Sequence, residues 1–125
     1  MTREPSATPN SFRFPKSARI LRSTDFRRVY EHGQRFSGPF FAAFLLSQAR
    51  EQGEGPRIGF TVPRAFGIAV RRNRAKRRLR EQVRLRLADI APQWDIVLNP
   101  RRSLLEAGPD ELRREVDRLI QRCGR

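Results

Sequence analysis

Two periodicities alternate along this chain. Between Ser23 and Gly33, Phe26, Val29 and Tyr30 stand at i, i+3 and i+4, which places them on one face of a short helix. Ser23 or Thr24 can cap its free amides, and Gly33 suits a left-handed stop. The period then falls to two. Phe40 to Leu46 is an apolar run behind Gly38-Pro39. It predicts a strand with Phe40, Ala42, Phe44 and Leu46 on one face and Phe41, Ala43 and Leu45 on the other. Arg35 to Ser37 adds a short strand before it. Gln48 to Pro56 holds two glycines and a proline and reads as a hairpin loop. Arg57 to Val62 is a second strong strand, with Ile58, Phe60 and Val62 facing one way.

The helical period returns after a connection from Pro63 to Val70. A long helix is predicted from Arg71 to Ile90, with Leu79, Val83, Leu87 and Ile90 on its apolar face and Pro92 as its stop. Asp95 to Asn99 is a strand ended by Pro100. The last helix opens at Gly108-Pro109-Asp110-Glu111, with proline and acids in its first turn. Its buried stripe is Leu112, Val116, Leu119, Ile120 and Cys123, and Gly124 ends it. The order α-β-β-β-α-β-α predicts an α+β fold, a single two-layer α/β sandwich. Residues 1–12, with Pro5, Pro9 and little apolar content, are expected to form a disordered tail ahead of one domain over 13–125.

At 125 residues the chain holds one domain. Its hydrophobic content of 38% suffices for one modest core. Cys123 is the only cysteine, which excludes a disulfide scaffold and a cysteine-rich zinc site. A reducing, cytoplasmic setting is the simplest reading. No apolar run approaches the roughly 20 residues of a membrane span, and the N-terminus lacks the apolar core of a secretory signal. Charge changes the picture most. The chain has 27 basic residues against 13 acidic ones, a net charge of +14, and all of the basic residues except Lys16 and Lys76 are arginine. Such a balance calls for a polyanionic partner, nucleic acid first.

The cations concentrate at the start of the long helix. From Arg71 to Arg80 every residue except Asn73, Ala75 and Leu79 is cationic. At about 100° per residue these side chains surround the helix, and the apolar stripe is clear of them only from Leu79 onward. Cations near a helix N-terminus are unfavourable by some tenths of a kcal/mol each, and a phosphate backbone reverses that sign. Arginine grips a phosphate with two bonds or lies flat on a base. The alternative is a merely solvated helix in an arginine-biased chain. Aromatic residues interleave with these arginines: Phe26, Tyr30, Phe41, Phe44, Phe60 and Phe66. Most are expected in the core, and a minority can line a groove for single-stranded nucleic acid, worth about 1–3 kcal/mol per stacked base. The single histidine, His32, ends a helix, and the carboxylates are scattered. No phosphate-loop glycine motif, acid/base pair or metal-ligand spacing is present, so neither catalytic nor metal residues are assigned. A structural, ribosomal-type RNA-binding protein fits the same charge pattern. A DNA-binding protein is disfavoured, for lack of a patterned reading face and a dimer element.

Arg57-Ile58-Gly59-Phe60-Thr61-Val62, then Gly67, Ala69-Val70 and Arg72-Asn73-Arg74-Ala75-Lys76-Arg77-Arg78-Leu79-Arg80-Glu81 resemble the signature of the bacterial ribonuclease P protein component. Phe14-Pro15-Lys16, Arg19-Ile20-Leu21, Asp25-Phe26 and Gly33 are similar to that family's opening, and Asp95-Ile96-Val97 to its last strand. The resemblance implies a left-handed βαβ crossover through the arginine-rich helix. It implies a subunit of an endoribonuclease whose catalysis resides in a partner RNA with Mg²⁺, held mainly by that RNA, and whose reaction removes the 5′ leader of precursor tRNA. By motif position, the RNA-subunit face falls on Arg72, Asn73, Arg74, Lys76, Arg77 and Arg80. The leader cleft falls on Phe26, Tyr30 and Phe44, with Arg64 and Phe66 at its rim. The chain departs from the family pattern at Pro63-Arg64-Ala65 and at Ile68. The partners implied are the catalytic RNA and precursor tRNA, with no membrane and no DNA.

Overall fold

The computed structural model describes residues 16–20, 22–51 and 53–125. The expected tail over 1–12 lies outside the described residues, as do Phe14, Pro15 and Leu21. The elements are α1 (Ser23–His32), β1 (Gln34–Ser37), β2 (Phe41–Ser47), β3 (Arg57–Phe60), α2 (Ala69–Leu85), β4 (Trp94–Pro100) and α3 (Pro109–Cys123), with short 3₁₀ turns between several of them. This is the predicted order.

The four strands form one sheet in the order β1-β2-β4-β3. β2 is antiparallel to β1 and to β4. β3 runs parallel to β4, with Ile58 beside Ile96 and Phe60 beside Leu98. The loop from Gln48 to Pro56 is therefore not a hairpin: β4 inserts between β2 and β3. Turn composition says where the chain bends but not which strand it meets next. The parallel pair β3–α2–β4 is the βαβ unit that the resemblance implies.

Alternation along β2 divides the sheet into two faces. Phe41, Ala43 and Leu45 join Ile58, Ile96 and Leu98 in the main core beneath α2 and α3. Helix α3 contributes Leu112, Val116, Leu119, Ile120 and Cys123, all buried. Burial pushes the Cys123 thiol up to about 11, so the side chain acts as apolar filling. On the opposite face a smaller cluster of Ile20, Val29 and Val97 is flanked by Phe26, Phe44 and Leu46. Helix α1 lies there and covers part of that face. Phe40 departs from the expected alternation. It precedes β2 and packs against the main core, because its backbone belongs to the turn rather than the strand. Helix α2 ends at Leu85, and Leu87–Asp89 continues as a 3₁₀ turn. The helix therefore stops before Pro92 acts on it. Its inner stripe begins at Ala75, which is wholly buried with Leu79, four residues earlier than the sequence pattern suggests.

Two buried carboxylates organise these layers. Glu115 on α3 accepts the amide hydrogens of Phe40 at 3.0 Å and Phe41 at 2.9 Å, which fixes the β1–β2 turn. A Cβ on Gly38 would lie 2.5 Å from that carboxyl carbon. Burial lifts the Glu115 pKa despite the amide bonds from Phe40 and Phe41. Asp95 on β4 faces the α1 side and is wholly buried. Arg57 donates to it at 2.8 and 3.1 Å, and Arg50 and Gln48 complete its partners. Arg57 also lies 3.6 Å from Asp25 in the first turn of α1. Burial pushes the Asp95 pKa up, but hydrogen bonds from Arg57 and Arg50 outweigh it, and the carboxyl sits below its ordinary value.

Removing Arg57 leaves a buried charge without its main partner. We expect Arg57→Ala to lose about 3–5 kcal/mol of stability in urea titration. Because the folded-state pKa of Asp95 is depressed, its contribution is complete above the ordinary carboxylate value near 4 and is lost as pH falls below it. The raised pKa of Glu115 acts in the opposite sense: its contribution is present below the ordinary value and lost as pH rises through the folded one. Asp95→Asn should therefore be less stable than the native chain at neutral pH and show a flatter acid limb in a plot of melting temperature against pH.

Candidate RNA interface

The cationic helix surface forms because α2 has a narrow inner stripe. Ala75, Leu79 and Val83 alone are buried along it, and small Ala75 lets the helix sit close over the sheet. Everything else turns outward or sideways. Arg71, Asn73, Arg74 and Arg77 are exposed, while Arg72, Lys76 and Arg80 are half-buried. Among the described residues no carboxylate pairs with Arg71, Arg72, Arg74, Lys76, Arg77, Arg78 or Arg80; the first acid on the helix, Glu81, is taken by Arg84. Arg72 has its Nε enclosed without a hydrogen-bond partner. Arg78 has a different task. Its guanidinium donates to the carbonyls of Leu104 at 2.6 Å and Ala107 at 2.7 Å, tying α2 to the turn before α3.

The second surface lies on the α1 side of the sheet. Tyr30 and Phe44 meet edge to face, with ring centroids 4.9 Å apart and planes at 73°. The Tyr30 hydroxyl lies 2.6 Å from Thr61 Oγ1 and accepts from Asn99 Nδ2 at 3.0 Å. The Arg35 guanidinium stands 5.7 Å from the centre of the Phe44 ring. Phe26, one turn before Tyr30, rests on Gly59: a Cβ there would come within 2.5 Å of the ring. A glycine in β3 is thus required for the close approach of α1.

Phe26 also lines a cavity of about 420 Å³ with Arg19, Ile20, Gly59, Phe60 and Arg80. Arg80 lies over the Phe60 ring at 5.7 Å. Burial, together with the nearby charges of Arg19 and Arg77, holds its guanidinium below the ordinary value. A residue expected on the RNA-subunit face is thereby joined to the aromatic cleft.

Of the residues inferred from motif position, Phe26, Tyr30 and Phe44 come together beneath and beside α1. Arg72, Asn73, Arg74, Lys76 and Arg77 share α2. Arg64 is exposed in the 3₁₀ turn Arg64–Phe66. Phe66 is a correction. It is only 7% exposed and sits in the main core, so its ring offers no face to a strand at the cleft rim. Arg102 ties its carbonyl at 2.8 Å. The sequence reading missed Arg35, Thr61 and Asn99 in the cleft. Strand parity carries the signal for two of them: Arg35 pairs with Phe44 and Asn99 with Ala42, on the face that α1 leaves partly open.

Fold and surface together define a class, a small basic α+β protein with a cationic helix, free of acids from Arg71 to Arg80, beside an aromatic cleft. The comparisons narrow it. A family model for ribonuclease P matches residues 14–124. The chain is 36% identical over 108 residues to the ribonuclease P protein component of Herpetosiphon aurantiacus, across 86% of this chain and 85% of that one. It is 39% identical over 108 residues to that of Acidothermus cellulolyticus, across 86% and 89%. The ribonuclease P protein of Thermotoga maritima shares the fold with a TM-score of 0.71 at 28% identity, over 86% of this chain and 98% of that one. The chain belongs to the ribonuclease P protein family.

The Gly59–Phe26 contact yields a test of the cleft. Gly59→Ala forces the ring or the helix to move, at an expected cost of about 1–3 kcal/mol. In the Phe26→Ala background that cost should largely vanish, which a double-mutant cycle of unfolding free energies reads directly.

Proposed function

We propose that this chain assists a catalytic RNA in removing the 5′ leader of precursor tRNA, with two surfaces dividing the work. The face of α2 formed by Arg72, Asn73, Arg74, Lys76 and Arg77 holds the RNA subunit. The cleft of Phe26, Tyr30 and Phe44 takes the single-stranded leader, with Arg64 near its approach. Arg80 stands between the two. The observation that carries this reading is the segregation of charge. Seven cations occupy ten residues of helix with no carboxylate partner among the described residues, next to a cleft of clustered aromatic rings suited to unpaired bases. Membership of the ribonuclease P family supports an RNA partner and a precursor-tRNA substrate. The reaction occurs in the cytoplasm.

Among the described residues no group of three acidic, histidine or cysteine side chains could hold a magnesium ion. Asp95 is enclosed by guanidiniums, Asp25 faces Arg57 and Arg28, and Glu115 is committed to two amides. Mg²⁺ held mainly by the RNA is what the family resemblance implies and is part of this proposal. The chain contributes neutralisation of crowded phosphates, which lowers the RNA's demand for cations, and grip on the leader.

Adding the chain to a bacterial ribonuclease P RNA at low Mg²⁺ should increase cleavage of precursor tRNA, and no gain would reject the proposal. Binding to that RNA should weaken steeply with salt: five or six phosphate contacts imply a slope of about −4 to −5 in log K against log salt. Reversing charge at Arg77 and Arg80 should lower RNA-subunit affinity. Phe26→Ala should weaken leader-bearing substrate more than mature tRNA, and equal losses would break the division of labour.

A further inference from the structure

The segment leading into α2 carries a surface that folding does not explain. Ile68 and Val70 are 68% and 63% exposed. Ile68 is the N-cap of α2, extended at φ −69° and ψ 160°, and no side chain caps the helix there. Isoleucine is among the poorest residues for that position, where Ser, Asp or Asn would accept an amide hydrogen bond. Val70 is β-branched and a weaker helix former than Ala or Leu. Both positions forgo stability while staying largely exposed among the described residues.

The turn holding them is fixed. Phe66 is anchored in the main core, Arg102 donates to the carbonyls of Phe66 and Ala65, and Gly67 adopts φ +146°, a conformation that favours glycine. The apolar pair is therefore presented in a set place. Its neighbours are the exposed Arg71, Asn73 and Arg74, with no acid among them. A second copy docked symmetrically here would bring the same arginines face to face. An occupant must offer negative charge and apolar surface within one short span. RNA does so, with riboses and base faces between its phosphates.

We infer that Ile68 and Val70 form an apolar contact on the RNA subunit, packing against riboses or unstacked bases beside the phosphate contacts of α2. The inference rests on the RNA-subunit reading above. It assigns to this corner a contribution that salt does not screen.

The test uses the full chain and a bacterial ribonuclease P RNA transcript, with affinities measured across a salt series and melting temperatures measured on the free protein. Ile68→Ser supplies a better helix cap, so it should raise the melting temperature by several degrees. It should also weaken RNA binding by about tenfold at fixed salt. The slope of log K against log salt should stay as in the native chain, because no phosphate contact is lost. Arg77→Glu should instead make the slope shallower. Val70→Ala should weaken binding by about threefold without lowering the melting temperature. Unchanged affinity in Ile68→Ser overturns the inference, as does a loss accompanied by a shallower slope. Self-association of the native chain that Ile68→Ser abolishes, with RNA affinity intact, overturns it in favour of a second copy. If the native chain binds this RNA with no steep salt dependence, the RNA-subunit reading fails, and this inference fails with it.

Discussion

Asp95 is a wholly buried carboxylate on the α1 side of β4, held by Arg57, Arg50 and Gln48. Burying a charge is costly unless it is paired and hydrogen-bonded. Its neighbours are therefore constrained: β3 must bring Arg57 alongside, and the loop after β2 must return Arg50 and Gln48. Arg57 then reaches Asp25 and so sets the first turn of α1, the helix that carries Phe26 and Tyr30. The placement of the aromatic cleft thus depends on an ion pair at its far end. The ion pair thus occupies the first turn of α1, and the aromatic rings of the cleft stand on the turns that follow.

A second theme is the separation of opposite charges. Several acids elsewhere among the described residues are matched to guanidiniums: Glu81 to Arg84, Asp89 and Asp117 to Arg86, Asp110 to Arg113. The outer face of α2 from Arg71 to Arg80 is exempt from this matching. Self-repulsion there disfavours the free fold, and the small buried stripe of Ala75, Leu79 and Val83, with the Arg78 clasp onto Leu104 and Ala107, holds the helix against it. The pattern is that of a protein whose surface is completed by its ligand.

Local pattern made much of this architecture legible. The α3 stripe from Leu112 to Cys123 is buried as its spacing requires, and the alternation of Phe41, Ala43 and Leu45 against Ala42, Phe44 and Leu46 sorts them onto opposite faces of the sheet. What escaped depends on non-local partners. The insertion of β4 between β2 and β3 is a pairing choice, and no turn residue encodes it. Phe66 lies in the core, and Arg102, 36 residues later, bonds its carbonyl. Thr61 and Asn99 both bond the Tyr30 hydroxyl, which joins them to α1. Arg80 carries the same letter as its neighbours on α2, yet Phe60 and Arg19 give it a partly enclosed setting.

The two hydrophobic clusters differ greatly in size. One holds most of the buried side chains beneath α2 and α3, and the other holds Ile20, Val29 and Val97 under α1. Helix α1 buries a single residue of its own, Val29. Such an element opens at a small fraction of the global unfolding free energy. Helix α1 can therefore breathe while the rest of the sandwich stays intact. A groove with one yielding wall can widen or narrow without disturbing the layer beneath α2 and α3.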